Sequence, residues 1–384
     1  MKITGDIGVY VHFPFCKKRC PYCDFKVDIF NKIPHKQYAL SVIEDLSLRA
    51  EPHLSGRQLC SIYFGGGTPS LWSIEWLVRV KEEILSCYKS QASSVEITVE
   101  VNPKEVDSSL VKMLFQGGIN RISMGVQSFN DDNLSWLGRQ HNAADARNAL
   151  EQVLSEPGFR VTFDLICALP GQTTSEWMTE ISNAEPYFNA GHVSIYELTI
   201  YDKTPFGKLH KQGRLTPLDT DVTAEIMTQT HHLMESKGLN HYEISNYAAQ
   251  GNESAHNQLY WHGGEYLGLG VGSHSMLISN NSVIRSANTS KTGLYLKNPF
   301  EHPLEIECLT PEEHLLERLI LGLRTKRGID LNQLSHQFEM PLKAPLLDTL
   351  ERAVDLGLLT HLSSRYRPTL RGLLLADSLA ALFM

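Results

Sequence analysis

The sequence predicts an α/β protein: an incomplete parallel (β/α) barrel followed by a smaller helical, winged-helix-like C-terminal domain. Short β-branched or aromatic runs alternate with stretches of helical spacing, six such runs fall before about residue 200, and the texture turns helical from about residue 300. Strand and helix in alternation imply crossover connections and a parallel sheet. Barrels of this kind gather their functional groups at the C-terminal ends of the strands. The expected domains are residues 1–299 and 300–384.

The six strands are read at 8–13, 61–64, 95–101, 121–126, 159–166 and 192–198. Between them, Tyr38, Val42, Leu46 and Leu48, then Trp76, Val80, Ile84 and Leu85, then Leu110, Met113 and Leu114 recur at helical spacing. Further on, LTPEEHLLERLILGLRTKRGIDLNQL reads as one helix with Thr310 as its cap, Pro311 in its first turn and Glu312 and Glu313 near its N-terminus. PLLDTLERAVDLGLLTHLSSRYRPT adds a second helix, a stop at Gly357 and a polar turn between two short strands, the order of a winged helix. The acidic balance and the lack of a basic recognition helix favour a structural or partner-docking role for this unit over DNA reading.

The 384 residues include 42% hydrophobic ones, enough for a sizeable core, and 35 Lys and Arg against 43 Asp and Glu, a net charge of -8 without blocks of like charge. That balance argues against nucleic acid as a partner. The N-terminal MKITGDIGVYVHFPF lacks the plan of a signal peptide, and no run reaches the roughly 20 apolar residues of a membrane span, so a cytoplasmic location is expected. The oligomeric state is open, a homodimer included.

Of seven cysteines, Cys16, Cys20 and Cys23 crowd into eight positions, while Cys60, Cys87, Cys167 and Cys308 lie far apart and read as ordinary thiols. A secreted disulfide framework does not explain that distribution. Three thiolates on a tight loop after a strand can ligate three irons of a cubane cluster and leave the fourth iron without a protein ligand. A structural zinc site is the plainer alternative, but no fourth ligand follows at finger spacing, and only His12 upstream could complete the set. A redox pair at Cys20 and Cys23 would leave Cys16 unexplained.

CxxxCxxC after a first strand, with Tyr22 inside it, resembles the signature of the radical S-adenosylmethionine (SAM) superfamily. The resemblance implies a barrel of the radical SAM type, a [4Fe-4S] cluster on Cys16, Cys20 and Cys23, and SAM on the open iron. FGGGTPS, with Gly65, Gly66 and Gly67, occupies the place of the superfamily's glycine-rich motif, where backbone comes close to a ligand. GVQSF, LGRQH and DLICALPGQT resemble the branch of oxygen-independent coproporphyrinogen III oxidases, over most of the chain. By that match Tyr10, Gly66, Glu100, Gln127, Arg139 and Asp164 are expected around SAM, with Gly67 and Thr68 beside them.

The oxidases of that branch carry one more cysteine two positions after the third, where this chain has Phe25. CPYCDF and HNQLYW, with His256, Asn257, Tyr260 and Trp261, are instead similar to the HemW branch. That resemblance implies a haem chaperone that retains the cluster and SAM, takes electrons from a donor, and hands haem to acceptor haemoproteins, membrane-bound ones included. His256 would offer an imidazole nitrogen to haem iron, and Tyr260 and Trp261 flat surfaces to the macrocycle. A purely structural role at the barrel's open side is the alternative for all three. No catalytic residue is assigned. The rival function is a radical SAM coproporphyrinogen III dehydrogenase, against which the missing cysteine argues; a radical SAM enzyme with another substrate stays open. Gly268, Gly270 and Gly272 resemble a dinucleotide fingerprint only superficially, since no strand-to-helix unit with a later ribose acid follows.

Overall fold

The computed structural model describes residues 6–54, 57–88, 95–279, 282–299 and 305–384. Six strands, β1 (Asp6–Phe13), β2 (Gln58–Gly66), β3 (Glu96–Val101), β4 (Arg121–Gln127), β5 (Arg160–Cys167) and β6 (His192–Glu197), pair in parallel in chain order. The helices His35–Leu54, Ile74–Ser86, Ser108–Gln116, Ala143–Leu154 and Thr174–Ala184 make the crossovers. All six predicted strands and the three predicted helices are present. Leu48 and Met113 do not face the core: they are 58% and 42% exposed, because each sits off the stripe that Tyr38, Val42 and Leu46, or Leu110 and Leu114, turn inward.

Alternation within each strand separates two layers. Ile7, Val9, Val11 and Phe13 are fully buried in the apolar core, as are Ile62 and Phe64, Val99, Ile122 and Met124, Phe163, and Val193 and Ile195, each at 2% exposure or less. The residues between them are small or polar: Gly8, Tyr10 and His12 on β1, Ser61 and Tyr63 on β2, Thr98 and Glu100 on β3, Ser123 and Gly125 on β4, Thr162 and Asp164 on β5, Ser194 and Tyr196 on β6. A period of two thus sends one apolar row outward to the helices and one polar row into the barrel.

Six further strands, unread in the sequence, extend the sheet: β7 (Asn240–Glu243), β8 (Asn246–Ala248), β9 (Glu265–Leu269), β10 (His274–Ser279), β11 (Ser282–Ala287) and β12 (Glu305–Leu309). The sheet runs β12-β11-β10-β9-β1-β2-β3-β4-β5-β6-β8-β7, with β9 parallel to β1 and antiparallel strands on both flanks. It stays open, with β12 and β7 as edges. Past Gly268 and Gly270 the chain turns into β10, so these glycines join two strands and open no nucleotide-binding helix.

The C-terminal unit has its own apolar cluster, with Leu319, Leu334, Leu350 and Tyr366 among its members. Its first helix, Pro311–Gly322, carries the expected Thr310–Glu313 capping box. That helix ends earlier than the sequence suggests: the chain turns at Gly328, where φ is +66°, and a separate helix spans Leu331–Phe338. The helix Ala344–Asp355 and the hairpin Leu359–Leu362 with Arg365–Pro368 complete the winged arrangement, Gly357 standing at φ +70° as the stop. The expected boundary at residue 299/300 abuts residues 300–304, which lie outside the described residues, as do residues 1–5 at the N-terminus. Among the described residues no helix is long and apolar enough to cross a membrane.

A buried ion pair floors the barrel. Arg121, 1% exposed, donates to Glu96 Oε2 at 3.2 Å, Thr162 Oγ1 at 2.9 Å and the Asn252 carbonyl at 3.0 Å. Glu96 also accepts from Ser254 Oγ and the His256 backbone N–H, so one pair joins two strands to the segment that crosses beneath them. Arg121→Leu leaves Glu96 in the interior with only the half-exposed Arg160, 3.7 Å away, as a counter-charge, and urea unfolding should register a loss of about 3 kcal/mol. Adding Glu96→Gln to that variant should recover part of the loss; a single variant within error of wild type would refute this account.

Candidate functional site

The C-terminal ends of β2 to β6 open into a cavity of about 440 Å³, closed on one side by the cysteine loop. Cys16, Cys20 and Cys23 line it, together with Gly66, Gly67, Thr68, Glu100, Gln127, Arg139 and Asp164. Residues predicted from six separate segments therefore meet in one place. Tyr10 is the exception: its ring stacks near Tyr63 and His256, its hydroxyl donates to His12 Nδ1 at 3.0 Å, and it borders a different cavity.

The glycine-rich turn grips the cysteine loop. Gly67 N–H donates to the Phe13 carbonyl at 2.7 Å and Thr68 N–H to the Phe15 carbonyl at 3.0 Å, while Thr68 Oγ1 lies 3.4 Å from Cys16 Sγ. A Cβ on Gly67 would come within 2.7 and 2.8 Å of the Phe15 and Phe13 carbonyl oxygens. The close backbone approach expected here is thus made to the chain that bears the cysteines. Gly66 holds φ at +109°, a conformation that favours glycine, and its N–H donates to Glu100 Oε2 at 3.0 Å.

Glu100 accepts from Tyr63 Oη at 2.9 Å, and burial pushes its carboxyl above the usual range against the pull of those two hydrogen bonds. Asp164 is pushed up to about 7, first by burial and then by the nearby Glu100 charge, with a Ser194 hydrogen bond opposing. Arg139 donates to Asn102 Oδ1 at 2.6 Å and to the Gly125 carbonyl at 2.8 Å, and its Nη1 lies 3.6 Å from Cys20 Sγ. Its Nε–H is buried without a partner among the described residues. Gln127 sits at φ +71° where β4 and β5 lose register, a strained backbone of the sort that clusters at binding sites.

The thiols stand free, part-exposed to the cavity. Burial and the neighbouring sulfurs hold Cys16 at about 11, and burial also raises Cys23. Three thiols crowded together are a donor set that bound iron would deprotonate. Among the described residues no three His, Cys, Asp or Glu side chains converge as ligands of one metal ion. Cys16, Cys20 and Cys23 all line the one cavity, as ligands of a shared cluster would. Two inward carboxylates, one guanidinium and an orphaned N–H also suit SAM, which carries ammonium, sulfonium and carboxylate together. The residues fit both groups. Asn102, Ser123, Tyr63 and Tyr196 also line the cavity and are not singled out in the sequence; their only signal is position near the C-terminal ends of the parallel strands.

His256, Tyr260 and Trp261 lie elsewhere, on and around the short helix Ala255–Trp261. His256 is 1% exposed, its Nδ1 paired with Ser61 Oγ and its Nε2 with Tyr260 Oη, both at 2.8 Å. Burial pushes its pKa down to about 3, so the ring is neutral. His256 is expected to present a nitrogen to haem iron; in this structure both nitrogens are engaged and the ring is stacked on Tyr63. Tyr260 borders the second cavity, whereas Trp261 lies against Arg324, whose guanidinium is 5.7 Å from the ring centre.

A parallel barrel with three cysteines on the loop after its first strand defines a radical SAM protein, and the profile of the radical SAM superfamily matches residues 10–181. The HemN C-terminal domain profile matches residues 309–375. The chain is 32% identical to the heme chaperone HemW of Bacillus subtilis, over 98% of this chain and 99% of that protein, and 31% identical to that of Escherichia coli, over 98% of both. It belongs to the HemW family. Coproporphyrinogen III oxidase (HemN) of Escherichia coli shares the fold, with a TM-score of 0.82 at 22% identity over 98% of this chain and 89% of that one.

Asp164 sets a pH dependence. A carboxyl raised to about 7 holds its proton in the folded protein, whereas the unfolded chain releases it from about pH 4, so stability falls as pH rises through that window. In cluster-free protein Asp164→Asn should therefore raise the melting temperature more at pH 8 than at pH 5. Equal shifts at the two pH values would contradict this.

Proposed function

We propose that this chain is a haem chaperone: it binds haem and passes it to acceptor haemoproteins, while keeping a [4Fe-4S] cluster and SAM. The observation that carries the reading is Phe25, 64% exposed, which borders both the cysteine cavity and a second, larger one. The position that holds an additional cysteine in the oxidases is here an apolar ring facing space for a second ligand. The relatives' name, heme chaperone HemW, supports the same reading.

Cys16, Cys20 and Cys23 would hold three irons, and Gly66, Gly67, Thr68, Glu100, Gln127, Arg139 and Asp164 would surround SAM, with Tyr10 backing the site from beneath Tyr63. Bound together, cluster and SAM supply one-electron reductive chemistry. The chain's own part is to orient them: Arg139 can fork onto a carboxylate, Glu100 and Asp164 accept from ammonium or hydroxyls, and the glycine turn holds the cysteine loop in place. The sheet-bearing unit, residues 1–299, would carry these groups, and residues 300–384 would serve as a docking or covering unit. An electron donor and acceptor haemoproteins are the partners implied.

Single Ala substitutions at Cys16, Cys20 or Cys23 should abolish the brown absorbance of anaerobically reconstituted protein. Haem bound to wild type should transfer to an apo-haemoprotein, and cluster-loaded protein given SAM, reductant and coproporphyrinogen III should yield no protoporphyrinogen IX. Multiple turnovers to that product would overturn the chaperone reading in favour of the dehydrogenase.

A further inference from the structure

We infer that haem binds in the second cavity, with His274 as the axial ligand from the protein; this rests on the chaperone reading above and names its site. The cavity, about 880 Å³, lies between the cysteine loop, β10, the loop after β11 and the helix Pro311–Gly322. Its size falls in the upper part of the roughly 300–1,000 Å³ range of small-molecule and cofactor sites.

Two imidazoles, His12 and His274, line this space, and of these only His274 is free among the described residues. His12 Nε2–H donates to the Lys26 carbonyl at 2.8 Å and its Nδ1 accepts from Tyr10 Oη, while His256 is held by Ser61 and Tyr260. His274 is exposed, lines the cavity, and has no hydrogen-bond partner for its ring among the described residues. Strand alternation explains its aim: His274 and Met276 share one face of β10, and Ser275 between them turns the other way, donating to Gly268 and taking a hydrogen bond from Arg49. Phe25, Tyr260, Tyr266, Met276, Leu294 and Leu321 give the walls the apolar and aromatic surface that a macrocycle needs.

Charge at the rim is compatible with the propionates. Lys26 is paired with Asp28 and Glu317 with Arg285, which leaves Asp24 and the exposed Lys291 facing solvent without a salt bridge among the described residues. Lys291 can take one carboxylate; the other can remain in water.

The test compares cluster-loaded wild type, His274→Ala and His256→Ala in titrations with ferric haem and with iron-free protoporphyrin IX. His274→Ala should weaken haem binding by about tenfold or more and remove the magnetic circular dichroism signature of an axial imidazole. Added imidazole should restore the signature, and affinity for protoporphyrin IX should be unchanged, which a merely structural role would not give. Leu294→Trp, filling the far wall, should weaken both ligands. His256→Ala should keep the axial signature. Retention of that signature and of wild-type affinity in His274→Ala would overturn this assignment alone. Wild type that binds no haem would overturn the chaperone reading and this site with it.

Discussion

Everything in this molecule depends on the period of two in its parallel strands. The row of Ile, Val, Leu and Phe facing the helices supplies the apolar burial that holds the sheet together, and it does so with every second residue. The residues between are released from core duty. They form a polar inner row in which Tyr63, Glu100, Ser123, Asp164 and Tyr196 point into one cavity. A barrel filled with apolar layers would have no room for cofactors; here the same backbone, with its inner row changed in chemistry, becomes a site.

The inner row alone would not hold three cysteines in place. The loop that carries them leaves β1 and is caught at once by the turn after β2, through Gly67 and Thr68, while Gly66 is tied to Glu100 on β3. Three adjacent strands thus determine where the sulfurs sit. Burial raises the pKa of Cys16, Cys23 and the two carboxyls, and Arg139 is the cation already in place beside them. Such a site gains from the arrival of positive groups, because iron and an ammonium would settle the carboxylates and thiolates in their charged forms.

At the other end of the barrel, the helix Ala255–Trp261 works as a plug. Its first residues hang from the Glu96–Arg121 pair, His256 fills the interior beneath Tyr63, Tyr260 reaches the second cavity, and the Trp261 carbonyl accepts from Arg318 of the C-terminal unit. A motif of residues suited to haem thus spends one of them on packing. The same short helix connects the floor of the barrel, the larger cavity and the C-terminal helices, so a ligand in that cavity would touch both units and the cysteine loop.

The sequence by itself determined the six parallel strands, the first three of their five crossover helices, the capped C-terminal helix with its wing, and the cysteine spacing, because each is written in local periodicity or in a short motif. It did not determine β7 to β12, whose runs are short and lie at edges or in antiparallel pairs with little alternation to read. Nor could it place Gly67 against Phe13 and Phe15, or separate Tyr10 from the other expected SAM contacts. The role of His256 was decided only by tertiary structure. Whether an imidazole is a ligand or a buried brace depends on which atoms meet its two nitrogens, and those atoms, on Ser61 and Tyr260, come from a strand 195 residues away and from the next helical turn. His274 shows the converse: unremarked in sequence, it is left free because strand alternation turns its ring into open space while both neighbouring histidines are already bonded.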